Sequence, residues 1–228
     1  MSSHSWKGSK MNVRCCADHG PREGLYDRFI SPWMLHGACS MPPIHEQRQK
    51  IVPKAEGIVV ELGMGTGLNL PHYNAEKVTK LIGVDPGRSL MDRARKAAQA
   101  APFDVDLYVE SAEDMPLEND LADMVVVTYS LCTIPNPHAA LQEVRRVLKP
   151  EGSILFSEHG VSDMPNTAKW QHRITPIWKR IAGGCHLNRN VEQLLLSEGF
   201  ELIDLEKKRM PGVPGVLGFN YRGSARPR

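Results

Sequence analysis

The run Val59-Val60-Glu61-Leu62-Gly63-Met64-Gly65-Thr66-Gly67-Leu68-Asn69 constrains this chain more than any other stretch. Ile58 to Val60 is a short β-branched segment, the kind that fills a buried strand, and it leads into three glycines at alternate positions. Without a Cβ, a glycine can take positive φ and let a ligand approach the backbone closely. A helix starting after Gly67 would aim its free N–H groups at that ligand. Strand, ligand-binding turn and helix together are the opening unit of a parallel α/β sheet.

Lys80-Leu81-Ile82-Gly83-Val84-Asp85 reads as the neighbouring strand, ending in a carboxylate 20 residues after Gly65. That spacing sets an acid at the strand tip, in reach of a ribose diol. The same side chain is also suited to capping a helix that starts near Pro86. Two nucleotide-binding patterns compete for the loop. The dinucleotide fingerprint calls for a small residue at position 68, where this chain has Leu68, and the third glycine comes one residue early. Glu61-Leu-Gly-Met-Gly-Thr-Gly67 instead resembles the first motif of the Rossmann-like S-adenosylmethionine (SAM) methyltransferases. The resemblance implies that the loop lies against the methionine part of SAM, with Glu61, Gly63, Gly65, Gly67 and Asp85 as cofactor-binding positions. A SAM-binding or nicotinamide-binding module without catalysis stays open as an alternative.

Later pieces extend the resemblance over residues 57–160. After an apolar helical stripe (Leu90, Ala94, Ala97, Ala98) and a third strand (Val105 to Val109) comes Glu110-Ser-Ala-Glu-Asp-Met-Pro-Leu117. It is similar to the family's adenine-binding loop, which implies that Ser111, Ala112 and Glu113 meet the adenine, with Ser111 where an Asp is usual. Asp123 to Thr128 is a fourth strand, its continuous apolar run fitting burial on both faces, and Thr128 ends it as a further cofactor-side position. Tyr129 to Ile134 follow at its carboxyl end, where open α/β sheets bind ligands. Asn136 and Pro137 open the next helix, Leu148 to Gly152 is the turn after it, and Ser153 to Ser157 is a fifth strand. At its tip stand Glu158 and His159. An acid and an imidazole there are well placed to face substrate, and His159 is suited to moving a proton near neutral pH.

Residues 161–190 are an insertion on the substrate side. Trp170, Ile174, Ile177 and Ile181 recur at helical spacing, interrupted at Pro176, and are expected to pack as core. Glu158-His159, Trp170 to Trp178, Gly184-Cys-His-Leu-Asn-Arg189 and Gly199-Phe200 together resemble the microsomal methyltransferase-like proteins that methylate small alkyl thiols, and their soluble bacterial relatives. The mammalian members begin with an apolar membrane anchor. Residues 1–10 here are polar and carry no signal-like apolar segment, so a membrane location does not carry over. Glu201 to Lys207 and Val216 to Ser224 are expected to complete a seven-stranded, mostly parallel, doubly wound sheet with a terminal antiparallel pair.

Composition sets the outer limits. The 228 residues suit one domain, and 41% apolar with 24% charged content is that of a soluble globular chain. A net charge of +2 with no dense Lys/Arg run argues against a nucleic-acid partner. No stretch approaches a membrane span, which leaves only peripheral contact with lipid. Five cysteines, an odd number without C-x-x-C spacing, argue against a disulfide framework or a zinc site and for a cytoplasmic setting without bound metal. Residues 1–20 read as a flexible arm in which Cys15, Cys16 and His19 are bystanders. Residues 21–228 read as the single catalytic domain. Within it, residues 21–53 form a helical lid carrying Leu25, Phe29 and Trp33, a second helix from about Pro43 to Val52, and the polar side chains Tyr26 and His36.

The expected activity is in-line methyl transfer from SAM to a small thiol or amine, with His159 and Tyr26 as catalytic candidates and Cys132 and Cys185 near the cleft. The alternative is a lipid-like acceptor, a quinone ring or an aminophospholipid, suited by an apolar lid and by Trp170 and Trp178. Thr128-Tyr-Ser-Leu131 lacks the Asn-Pro-Pro-Tyr pattern of nucleic-acid and protein methylation.

Overall fold

The computed structural model describes Gly37 and residues 39–228. Cys15, Cys16, His19, Tyr26, His36 and the first helix of the expected lid lie outside the described residues. Seven strands, β1 (Gly57–Leu62), β2 (Val78–Val84), β3 (Asp104–Tyr108), β4 (Ala122–Thr128), β5 (Leu148–His159), β6 (Phe200–Arg209) and β7 (Phe219–Pro227), form one sheet. Its order is β3-β2-β1-β4-β5-β7-β6. The first five strands pair in parallel, and β7 lies antiparallel between β5 and β6. This is the expected Rossmann-like, doubly wound, mostly parallel sheet. The winding reverses between β1 and β4, so the loops after these two strands diverge and leave a crevice.

Helices α1 (Pro42–Ile51), α2 (Arg88–Ala98), α3 (Pro137–Val147), α4 (Pro165–Ile181) and α5 (Val191–Ser197) surround the sheet. On one face Val60, Leu62, Val125 and Phe156 join Leu141 and Val144 of α3 and Leu195 of α5 in one apolar cluster. On the other, Val59, Leu81 and Val126 meet Ile51 of α1 with Met91 and Ala94 of α2. Successive strand residues point to opposite faces, and both faces are covered. That is why β1 and β4 carry unbroken apolar runs. Asn136 caps α3 as its sequence implies, Oδ1 accepting the Ala139 N–H at 3.2 Å.

Four local expectations are corrected. No regular helix follows Gly67; turns lead to a 3₁₀ segment, Leu70–His72, because Pro71 lacks the N–H that an α-helix interior needs. The buried stripe of α2 is Met91, Ala94 and Ala98, while Ala97 is exposed and Leu90 turns toward the crevice. Leu148 to Gly152 belong to β5 as an irregular stretch, since the register moves from Ala122↔Leu148 to Met124↔Ser153. Most of the apolar stripe of α4 is not core: Trp170, Ile177 and Ile181 are 57%, 67% and 51% exposed, and of the four only Ile174 packs against a buried cluster, that of Cys132, Cys185 and Leu187. The side of α4 turned inward carries Gln171 and Thr175. Gln171 accepts the Ser162 N–H at 2.8 Å and donates to the carbonyls of Gly160 and Val216 at 3.0 and 3.1 Å. Beneath α4 lies loop backbone whose polar groups need partners, so an amide fits there better than an isoleucine.

Candidate active site

The crevice at the carboxyl ends of β1, β2 and β4 is a cleft of about 320 Å³, within the size range of small-molecule sites. Of the residues expected at a cofactor, Gly63, Gly65, Asp85, Ser111, Ala112 and Thr128 line it. Glu61, Gly67, Glu113 and His159 stand behind or beside its walls. Arg48, Tyr129 and Cys39, none of them expected as cofactor positions, line it as well.

The glycine loop is shaped for close approach. Gly63 and Gly65 have φ of 66° and 56°, backbone that favours glycine. A Cβ on Gly63 would collide with the Ser130 side chain, whereas one on Gly65 would meet nothing nearer than the Gly63 carbonyl at 3.9 Å. Position 65 is therefore glycine for its backbone angle and for the space it leaves in the cleft. Asp85 holds the loop in place. Its Oδ2 accepts the Gly65 N–H at 2.9 Å and its Oδ1 the Gly87 N–H at 2.8 Å. In the loop after β3 Glu113 accepts the Asn136 N–H at 2.5 Å, which fastens that loop to the start of α3 and leaves Ser111 and Ala112 at the cleft.

Behind the loop lies a buried polar network. Glu61 accepts from Asn69 Nδ2 at 3.0 Å and from the Tyr73 hydroxyl at 2.7 Å. Burial raises its pKa from 4.5 to about 7, opposed by the Tyr73 hydrogen bond, the Arg48 charge and the Asn69 hydrogen bond. Arg48 enters this network from α1. Its Nη1 donates to Asn69 Oδ1 at 2.7 Å and to Thr128 Oγ1 at 2.5 Å, and its guanidinium lies 5.4 Å from the centre of the Tyr129 ring. Its Nε is buried without a hydrogen-bond partner among the described residues. Sequence reading passed over Arg48 because an arginine among His, Glu, Gln and Lys on a short helix looks like any solvated side chain.

The loop after β4 is also held under tension. Tyr129 takes φ 55°, uncommon for a bulky side chain, and its hydroxyl donates to Asn220 Oδ1 at 2.9 Å. Glu158 does not face substrate, contrary to the sequence expectation. It is fully buried, and its carboxylate accepts the N–H groups of Ser130, Leu131 and Cys132 at 2.5, 3.0 and 3.3 Å. Burial still raises its pKa against those three hydrogen bonds. A carboxylate at the end of β5 thus sets the shape of the loop beyond β4.

His159 is half-buried beside that loop, with Nε2 3.1 Å from Cys185 Sγ. Trp178 Nε1 donates to the same sulfur at 3.3 Å. A hydrogen bond from the Cys132 thiol lowers the Cys185 pKa most, outweighing burial, and His159 and Trp178 lower it further. Cys132 is correspondingly pushed up. Burial alone would lower the His159 pKa, yet the Cys185 sulfur raises it above its ordinary value. The two groups therefore compete for a proton between the sulfur and the imidazole nitrogen. Cys132 directly precedes Thr133, and Cys185 follows Gly183 by two residues; Thr133 and Gly183 line the cleft.

These features fit the cofactor expected from the sequence: an open glycine position, an acid at the second strand tip, and an arginine on the cleft wall. Residues 60–156 match the model of a methyltransferase domain. Thiol S-methyltransferase TMT1B of Rattus norvegicus is 33% identical over 172 residues, covering 72% of this chain and 70% of that protein. Phosphatidylethanolamine N-methyltransferase of Cereibacter sphaeroides is 23% identical over 168 residues, covering 73% and 81%. Among solved structures, a SAM-dependent methyltransferase of Leishmania major superposes with a TM-score of 0.65 over 88% of this chain and 80% of its own, at 12% identity. With the sheet order, the glycine loop and these likenesses together, the chain belongs to the Rossmann-like class I SAM-dependent methyltransferases, with S-adenosylmethionine as its cofactor.

Proposed function

We propose that the protein methylates a small-molecule thiol. The observation that carries this reading is the thiol–imidazole group of Cys132, His159 and Cys185 behind the cleft wall at Thr133 and Gly183; the 33% identity to a thiol S-methyltransferase supports it. When bound, S-adenosylmethionine supplies an activated methyl group on a sulfonium. The chain's own residues have to orient the cofactor, hold the acceptor in line and manage its proton. For the first task, Arg48 on the cleft wall supplies the positive charge for the cofactor's carboxylate, Gly63 and Gly65 receive the methionine part, Asp85 the ribose, and Ser111 and Ala112 the adenine. Thr128 steadies Arg48, and Glu61, Gly67 and Glu113 act on the cofactor only through the loops they hold. Positioning of this kind contributes on the order of 7–11 kcal/mol in the best oriented cases.

A free thiol has a pKa near 8.5, so mild help releases a reactive thiolate at neutral pH. That help is assigned to His159, working with Cys185. Tyr26 and the rest of residues 21–53 are proposed to close the acceptor side, residues 161–190 to shape its pocket, and residues 1–20 to take no part. Incubation with methyl-labelled SAM and a panel of thiols, amines, quinones and phospholipids tests the reading. Label in small alkyl thiols is the expected result, and label confined to another class would replace the acceptor.

A second reading has its own observation. Met164, Trp170, Ile177 and Ile181 of α4 and the turn before it are all more than half exposed, and an aminophospholipid methyltransferase is among the relatives. A lipid-like acceptor delivered from a membrane surface would use that stripe. Among the described residues no helix is long and apolar enough to cross a membrane, so such contact would be peripheral. Label in phospholipid or quinone, dependent on Trp170 and Ile177, is the outcome that would favour it.

A further inference from the structure

We propose that Cys132, His159 and Cys185 form a binding site for a soft divalent cation, zinc in the first place. Three segments far apart in sequence bring the donors together: the loop after β4, the end of β5 and the loop after α4. One ligand atom from each, two sulfurs and an imidazole nitrogen, lies within 4.8 Å of the others, and Cys185 Sγ is already 3.1 Å from His159 Nε2. A tetrahedral zinc with Zn–S of about 2.3 Å and Zn–N of about 2.0–2.1 Å has ligand edges of about 3.6 Å between S and N and about 3.8 Å between sulfurs. The donors therefore need adjustments of about an ångström at most, which rotamer changes supply.

Charge and surroundings agree with this donor set. Two thiolates and a neutral imidazole balance a divalent ion, so the loaded site buries no net charge, and sulfur with imidazole suits zinc better than magnesium or calcium. The backbone of the ligand segments is held in advance. Glu158 accepts the Cys132 N–H at 3.3 Å, the Cys132 carbonyl accepts the His186 N–H at 2.8 Å, and the Cys185 N–H is bound to the Ala182 carbonyl at 3.1 Å. The hydrogen bond from Trp178 to Cys185 Sγ is the outer-shell kind that orients a thiolate ligand. Leu187 and Ile174 cover the group on its apolar side. The absence of C-x-x-C spacing does not count against such a site, because its donors come from three segments and not one. Three donors leave a tetrahedral ion one position for an exogenous ligand. The inference concerns the cation alone and holds whether or not the methyl acceptor is a thiol; a loaded site occupies the His159 nitrogen that faces Cys185, so the proton-accepting role proposed for His159 belongs to the metal-free protein.

The test uses the full chain without a histidine tag, stripped with a chelator and titrated with Zn²⁺, then with Co²⁺ as a coloured substitute. Expected are one tightly bound equivalent of zinc and, with cobalt, the thiolate-to-metal charge-transfer band and visible spectrum of a tetrahedral two-sulfur site. Cys132→Ser and Cys185→Ser should each weaken zinc by at least about 100-fold, since even outer-shell losses cost about 10–100-fold. His138→Ala, at an exposed histidine paired with Glu198, should change nothing. Should the serine variants fail to fold, the unmodified protein still decides the matter. Zinc should then slow alkylation of Cys132 and Cys185, read by mass spectrometry, and leave Cys39 unaffected. Binding retained by the double serine variant, a cobalt spectrum without sulfur ligation, or alkylation indifferent to zinc would overturn the site.

Discussion

Arg48 Nη1 donates to Thr128 Oγ1 at 2.5 Å, and this one bond ties a helix that precedes the sheet to the tip of its fourth strand. The same guanidinium reaches Asn69, so α1, the glycine-loop segment and β4 share a single buried cation. The seating of α1 is thereby tied to the wall of the cleft that Arg48 and Thr128 line.

Arg48→Ala should weaken SAM by about 10–100-fold, the equivalent of a lost charge-assisted hydrogen bond of about 1.5–3 kcal/mol. Arg48→Lys keeps the charge but not the planar fork, and should recover only part of the affinity. Calorimetric titration of SAM into the three proteins checks the order. Equal affinities would free the guanidinium from any role at the cofactor.

The Glu61 carboxyl has a folded pKa of about 7 against an ordinary 4.5. Folding therefore favours its protonated form. Its contribution is fully present below pH 4.5 and is lost as pH rises to about 7, a change of about 3 kcal/mol. Glu61→Gln should keep contacts to Asn69 and Tyr73 while removing that decline. Urea unfolding between pH 4.5 and 8 should show the variant gaining on the parent as pH rises, and parallel curves would contradict the buried acid.

Gly65→Val should abolish the melting-temperature rise that SAM produces, because a branched side chain would enter the cleft from a backbone angle it rarely adopts. Asp85→Ala should weaken the effect and also loosen the loop, since it removes the acceptor of the Gly65 and Gly87 N–H groups. NAD should stabilise none of these proteins. Stabilisation by NAD and not by SAM would reverse the cofactor assignment.

In the metal-free protein His159→Ala should lower turnover by about 10²–10⁴-fold, the usual worth of general-base help, with SAM affinity unchanged because His159 does not line the cleft. The loss should shrink for acceptors of lower pKa, which arrive deprotonated. A structural histidine would instead give equal losses across the acceptor panel together with a lower melting temperature, so rate against acceptor pKa on this one variant separates the roles.

The sheet was legible in the sequence because its signals are local. Apolar β-branched runs at Val59-Val60 and Val125 to Val127 mark strands buried on both faces, and glycines at 63 and 65 mark a turn with positive φ, whatever else surrounds them. Strand-tip position added Asp85 and Thr128, and family likeness Ser111 and Ala112, all of which line the cleft, whereas Glu61, Gly67 and Glu113 are not among its lining residues. Local pattern misled where burial depends on the neighbour: Ile177 and Ile181 of α4 face outward, since much of its partner is loop backbone, not a greasy sheet. Glu158 looked like half of a catalytic pair and is instead the acceptor for three N–H groups from another strand's loop. Arg48 beside Thr128, and Cys132 beside Cys185 and His159, join positions separated by 80, 53 and 27 residues. Only the folded chain brings such positions together, because strand order and helix docking decide them, and no periodicity or spacing along the sequence records that order.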